Sequence, residues 1–172
     1  MGFLMKELLD KLSSYNIFNY LLPGVVFAAL ASTLTSYKFI QGDIVIGAFV
    51  YYFIGLVVSR VGSLILEPLL KRFVHLPFAP YESFVAASKL DPTLPILSEA
   101  NNTYRTLSAL SVVLALLKAY ELLTDHFPMV KPSSPYILLG ALFILFVLSY
   151  KKQTQYITQR VNAATRPPDA SR

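Results

Sequence analysis

Apolar residues in this chain come in long unbroken runs, and polar residues collect between them. Leu12 to Tyr37 is a run of 26 residues without a formal charge, more than the roughly 20 an α-helix needs to cross about 30 Å of hydrocarbon. It predicts a first span over 17–37. A second follows over 44–66, with Arg60 as its single charge, and an uncharged one over 132–150, whose centre from Ile137 to Leu148 holds nothing polar. The third span, 106–123, is the weakest. Only 12 uncharged residues separate Arg105 from Lys118, and Glu121 follows. The alternative for this stretch is a re-entrant or surface helix, which would put the two termini on opposite sides.

Ahead of the first run, Phe3, Leu4, Leu8, Leu9 and Leu12 repeat at helical spacing, with Lys6, Glu7, Asp10 and Lys11 on the other side. That pattern predicts an amphipathic helix over 1–16, lying along the headgroups before the chain turns into the bilayer near Asn19 to Gly24. The fold class is therefore all-α: a polytopic membrane protein of four transmembrane helices preceded by an interfacial helix. Its transmembrane domain covers 17–150. Within it, the 67–105 connection is broken by Pro68, Pro77, Pro80, Pro92 and Pro95 into short helices, one over 81–89 and another starting near Pro95 that runs into the third span. A basic tail, 151–172, continues the fourth helix and ends in a disordered stretch beyond Arg166-Pro167-Pro168.

Composition strengthens the membrane reading. The 172 residues are 55% hydrophobic and 15% charged, with a mean hydropathy of +0.54, against about 45–50% and about 25% for soluble domains. A disordered chain is excluded, and the absence of Cys removes disulfide scaffolds, thiolate metal sites and Cys nucleophiles. The net charge is +5, and its placement matters more than its size. Eleven Lys and Arg lie in the N-terminal segment, the 67–105 connection and the tail, whereas the two short connections hold only Lys38 and Lys131. By the positive-inside rule both termini and the long connection face the cytoplasm. Ala29-Leu30-Ala31 has the form of a signal-peptidase site. The acidic residues before it and the spans after it argue that the first segment is retained.

Candidate chemistry is sparse. His75 and His126 are expected on opposite membrane faces, which leaves no two-His metal site and no Ser-His-Asp arrangement. Phosphate loops, paired-carboxylate motifs and H-E-x-x-H helices are missing too. No enzyme activity, cofactor or metal is expected. Small residues are more telling. Gly24, Ala28, Ser32 and Ser36 recur every four residues, as do Gly55, Ser59 and Ser63, and such faces let helix backbones approach closely in lipid, within the chain or between copies. Three ionisable residues fall at membrane depth. Arg60 is expected to snorkel or to bond near Ser108 and Ser111. Lys118 and Glu121, three apart on one face, are expected to neutralise each other, with the third helix shielded in the bundle or at an oligomer axis. Lys89 and the polar segment containing Glu99, Asn101, Asn102, Tyr104 and Arg105 form either a tie between connection and bundle or a docking surface for a soluble partner.

Leu12 to Gly24 (LSSYNIFNYLLPG) and Ser98 to Arg105 (SEANNTYR) carry a resemblance to small uncharacterised bacterial four-span inner-membrane proteins. More loosely, the architecture is similar to that of membrane subunits of Kiwa-type anti-phage defence systems. That likeness implies a soluble cytoplasmic partner and a role in defence, and brings no catalytic residue with it. The expected function is a non-enzymatic scaffold or sensor that forms homo-oligomers and engages a cytoplasmic partner. The alternative is a small oligomeric channel or membrane-disrupting effector with the third helix near the axis. The basic tail suits anionic lipid better than nucleic acid, for which no base-reading motif is present.

Overall fold

The computed structural model describes residues 17–75 and 77–165. The expected interfacial helix over 1–16 and the end of the tail, where disorder is expected, lie outside the described residues. Within them the chain is all-helical, with no strand.

A π-helical turn, Ile17–Leu21, leads into α1, Leu22–Leu34. Pro23 occupies the first turn of α1, where its missing N–H costs no helical hydrogen bond. The helix stops short of the expected Tyr37 because Thr35 turns extended, its N–H and hydroxyl both donating to the Ala31 carbonyl at 2.9 and 2.7 Å. The next N–H, that of Ser36, donates to the Glu121 carboxylate instead of continuing the helix.

Asp43 starts α2, Ile44–Val61, by accepting from the N–H groups of Val45 and Ile46 at 2.8 and 2.9 Å. At its far end α2 passes through a π-helical turn, Gly62–Leu66, into α3, Glu67–Phe73. The helical run thus continues beyond the expected boundary at Leu66, since Pro68 falls in the first turn of α3, a position Pro tolerates. His75, with φ at 52°, lies just past it in the left-handed region. A short α4, Tyr81–Ala87, precedes α5, Thr93–His126. At 34 residues α5 joins the polar segment and the apolar one in a single rod, about 50 Å long. Within the 67–105 stretch, α3 takes up the first residues and the start of α5 the last, with α4 between them. A 3₁₀ segment, Pro128–Ser133, links α5 to α6, Ser134–Thr165.

The core lies between three helices, with Phe27 and Ala31 from α1, Val58 from α2, and Ala109, Leu110 and Leu114 from α5. α6 stands outside it. No part of the most apolar window of α6 is buried, and Leu138, Leu139, Phe143 and Ile144 are all exposed. Among the described residues three helical stretches, Ile44–Phe73, Thr93–His126 and Pro128–Ala163, are long and apolar enough to cross a membrane. By length and composition this is a membrane protein, and lipid is the solvent such an outward face requires.

Candidate functional site

The polar side chains gather at the two ends of the apolar bundle, and the two ends differ in kind. Where α2 gives way to α3, Glu67 becomes the centre of a network. Its Oε2 accepts from Arg105 Nη1 on α5 at 2.9 Å, and its Oε1 accepts from Lys71 Nζ one turn along α3 at 2.8 Å. Lys152 Nζ of α6 lies 3.7 Å from Oε2 and donates to the Ser63 carbonyl and hydroxyl at 2.7 and 2.8 Å. Three cations from three helices thus converge on one half-buried carboxylate. Arg60 adds a fourth positive charge, its Nη2 donating to Tyr20 Oη at 3.0 Å. Aromatic rings line the outside, with Lys71 Nζ 3.9 Å from the centre of Phe78 and Tyr81 packed on Tyr156 at 5.8 Å.

Beside the network is an open cleft of about 170 Å³, where Asn101, Tyr104 and Ser108 of α5 join Arg105, and Leu70 and Phe78 form the apolar wall. A second, shallower cleft of about 300 Å³ shares Tyr104 and is lined by Ile96, Glu99, Ala100 and Thr103.

The opposite end holds two separate ion pairs. Lys118 Nζ donates to Glu121 Oε2 at 2.6 Å, while Glu121 Oε1 accepts the Ser36 N–H at 2.5 Å, so buried Glu121 clasps the α1–α2 connection to α5. Lys131 meets Asp125 at 3.1 Å. Tyr120 and Ser134 share a hydrogen bond that joins α5 to the start of α6.

The small residues of α1 and α2 divide between two roles. Gly24 and Gly55 lie where the helices cross backbone to backbone, and Ala28 is buried. Ser59 is buried, its hydroxyl 3.4 Å from that of Thr106 on α5. Ser32 and Ser36 serve the connection, Ser32 Oγ accepting from the Phe39 N–H at 3.1 Å. Ser63 binds Lys152. Arg60 donates to Tyr20, and of its two expected settings, snorkelling or bonding near Ser108 and Ser111, the second is not formed: those hydroxyls donate to carbonyls of their own helix, Tyr104 and Leu107.

Of the expected partner-binding residues, Glu99, Asn101, Tyr104 and Arg105 line the two clefts, and Asn102 is half-buried with its carbonyl taken by Thr106. Exposed Lys89 sits in the turn after α4 and lines neither cleft. Sequence reasoning missed Glu67 and Lys152. The spacing of Glu67 and Lys71, four apart, was a readable signal. Nothing local pointed from Lys152 to Ser63, 89 positions away. Among the described residues no group of three His, Cys, Asp or Glu could hold a metal ion. No family model, no curated protein and no solved structure matches the chain.

Proposed function

We propose that the chain is a non-enzymatic scaffold or sensor subunit of the bacterial inner membrane. In this reading it crosses the bilayer four times with both termini cytoplasmic, forms homo-oligomers and engages a soluble cytoplasmic protein. The observation that carries the proposal is α5. Its polar first turns extend a membrane-length apolar helix as one rigid rod and present Ile96, Leu97 and Tyr104 at 66%, 61% and 70% exposure. Exposed apolar side chains set among Glu99 and Asn101 suit a protein contact, and a continuous helix couples that contact to the membrane. The four-span topology draws support from the backbone-close packing of α1 on α2 and from the positive charges around Glu67.

The test is purification from the native host through a C-terminal tag, with co-purifying proteins identified. The expected result is a stoichiometric soluble companion, lost in an Ile96→Ser, Leu97→Ser double variant that still inserts. Unchanged capture by that variant, or no companion at all, overturns the proposal. Arg105 is a poor probe, since reversing it would break the pair with Glu67.

The use of Glu121 by both Lys118 and Ser36 favours a structural clasp over a ring of charge lining a channel. On the likeness of architecture we extend the proposal to anti-phage defence. A gain in resistance to phage plating when the chain and its companion are expressed together is the expected result.

A further inference from the structure

The geometry points to a binding site for the phosphate headgroup of an anionic phospholipid, in the cleft beside Glu67 and Arg105. Three features of the molecule converge on it. The first is an unbalanced charge. Arg105, Lys71 and Lys152 contact the one carboxylate of Glu67, and Arg60 adds a further cation near Lys152. The Nε atoms of Arg60 and Arg105 are buried with no hydrogen-bond partner among the described residues. An excess of partly desolvated positive charge calls for an anion. At the other end of the bundle, Lys118 with Glu121 and Lys131 with Asp125 leave no such excess.

The second is depth. Tyr20, Glu67, Arg105 and Lys152 lie at or near the ends of the apolar runs of the sequence, the level at which phosphodiester groups sit in a bilayer, and Arg60 lies deeper and reaches Tyr20. The third is the shape and lining of the cleft. Asn101, Tyr104, Ser108 and Arg105 supply polar groups on one side, beside the Glu67 carboxylate whose charge is offset by Arg105, Lys71 and Lys152, and Leu70 and Phe78 supply an apolar wall on the other, matching an amphiphile whose head and first methylenes differ in the same way. At about 170 Å³, the cleft is smaller than the roughly 300–1,000 Å³ of sites that enclose whole ligands. It suits a headgroup whose chains stay in the bilayer. The site rests on membrane placement and not on the proposed protein partner.

The test is native mass spectrometry of the full chain released from nanodiscs containing phosphatidylglycerol and phosphatidylcholine in equal amounts. One phosphatidylglycerol is expected to be retained per chain in preference to phosphatidylcholine. Lys152→Gln should reduce retention about fivefold, the factor equivalent to about 1 kcal/mol for one near-surface cation. Asn101→Ala and Tyr104→Ala, on exposed positions outside the ion network, should reduce it while leaving helicity by circular dichroism unchanged. Lys38→Gln, at the opposite end, should have no effect. Equal retention of the two lipids, or retention indifferent to the Lys152, Asn101 and Tyr104 variants, overturns the site. Displacement of the lipid by millimolar inorganic phosphate would reassign it to free phosphate and overturn the lipid assignment. Loss of protein from the nanodisc would instead count against the membrane reading itself.

Discussion

Gly24 and Gly55 meet where α1 crosses α2, Gly24 closed in by the backbone of α2 and Gly55 by that of the turn that leads into α1. A Cβ on Gly24 would stand 1.7 Å from the Tyr51 carbonyl oxygen, and one on Gly55 would stand 1.7 Å from the Tyr20 carbonyl oxygen. Backbone cannot swing away as a side chain can, so either helix would have to separate from its neighbour.

Gly24→Ala and Gly55→Ala should each destabilise the protein by at least about 1–3 kcal/mol, the usual range for overpacking, seen as a fall in Tm of the detergent-solubilised chain. Gly140→Ala on α6 is the control, since a Cβ there meets nothing within 4 Å. It should be neutral or stabilising by about 0.5–1 kcal/mol, because Ala suits a helix better than Gly. Equal effects at Gly24 and Gly140 would contradict the crossing.

Glu67 is the link through which Lys152 of α6 and Arg105 of α5 meet α3. Glu67→Gln should cost about 1–3 kcal/mol, in the range for hydrogen bonds to charged groups, and loosen α6. With no native Cys in the chain, spin labels on single engineered cysteines in α3 and α6 would report this directly. A broader distance distribution is expected in Glu67→Gln, and partial recovery when Lys152→Met removes one of the stranded cations.

The clasp of Glu121 on Ser36 holds the connection that carries Lys38, which is exposed. Replacing Glu121 with Gln should speed tryptic cleavage after Lys38 in detergent by about tenfold, the equivalent of one lost charged hydrogen bond. Lys118→Gln should do less, because the Lys118 side chain is 48% exposed and already largely solvated. Identical cleavage rates in all three proteins would show that the clasp does not restrain the segment.

His75 adopts a backbone conformation with φ at 52°, two residues beyond the end of α3. An L side chain there costs about 1–2 kcal/mol relative to Gly, partly offset by the freedom Gly gains when unfolded. His75→Gly should therefore raise stability by less than about 1 kcal/mol, and His75→Val should lower it. Both would be read by thermal unfolding at a fixed detergent concentration.

Asp91 accepts from the side chain and the backbone N–H of Thr93 at 2.6 and 2.8 Å, which holds its carboxyl below the ordinary value of 3.8. A carboxyl depressed in the fold stabilises it above the ordinary value and ceases to as pH falls through the depressed one. The start of α5 should stay closed to hydrogen exchange at Thr93 down to about pH 4 and open below it. Asp91→Ala should open it at every pH.

Much of the architecture was legible from local pattern. Runs of apolar residues name membrane-length helices because the hydrocarbon core is thick and every residue crossing it must tolerate lipid. The pairing of Lys118 with Glu121 followed from helical spacing alone. The helix ends were less legible. α1 stops at Leu34 because a carboxylate 85 positions away takes the Ser36 N–H, and α2 continues into α3 because a Pro in a first turn does not break a helix.

Local order along the chain is enough to dictate helices suited to lipid, with most of the cations gathered outside the apolar runs, because hydrophobicity and helical period are properties of neighbouring residues. The packing of the helices is what sets Gly24 against Tyr51, Arg60 against Tyr20, and Arg105, Lys71 and Lys152 on Glu67 beside a cleft. Those relationships join residues from different helices. They depend on how the rods cross and how deep each sits, which no local spacing encodes.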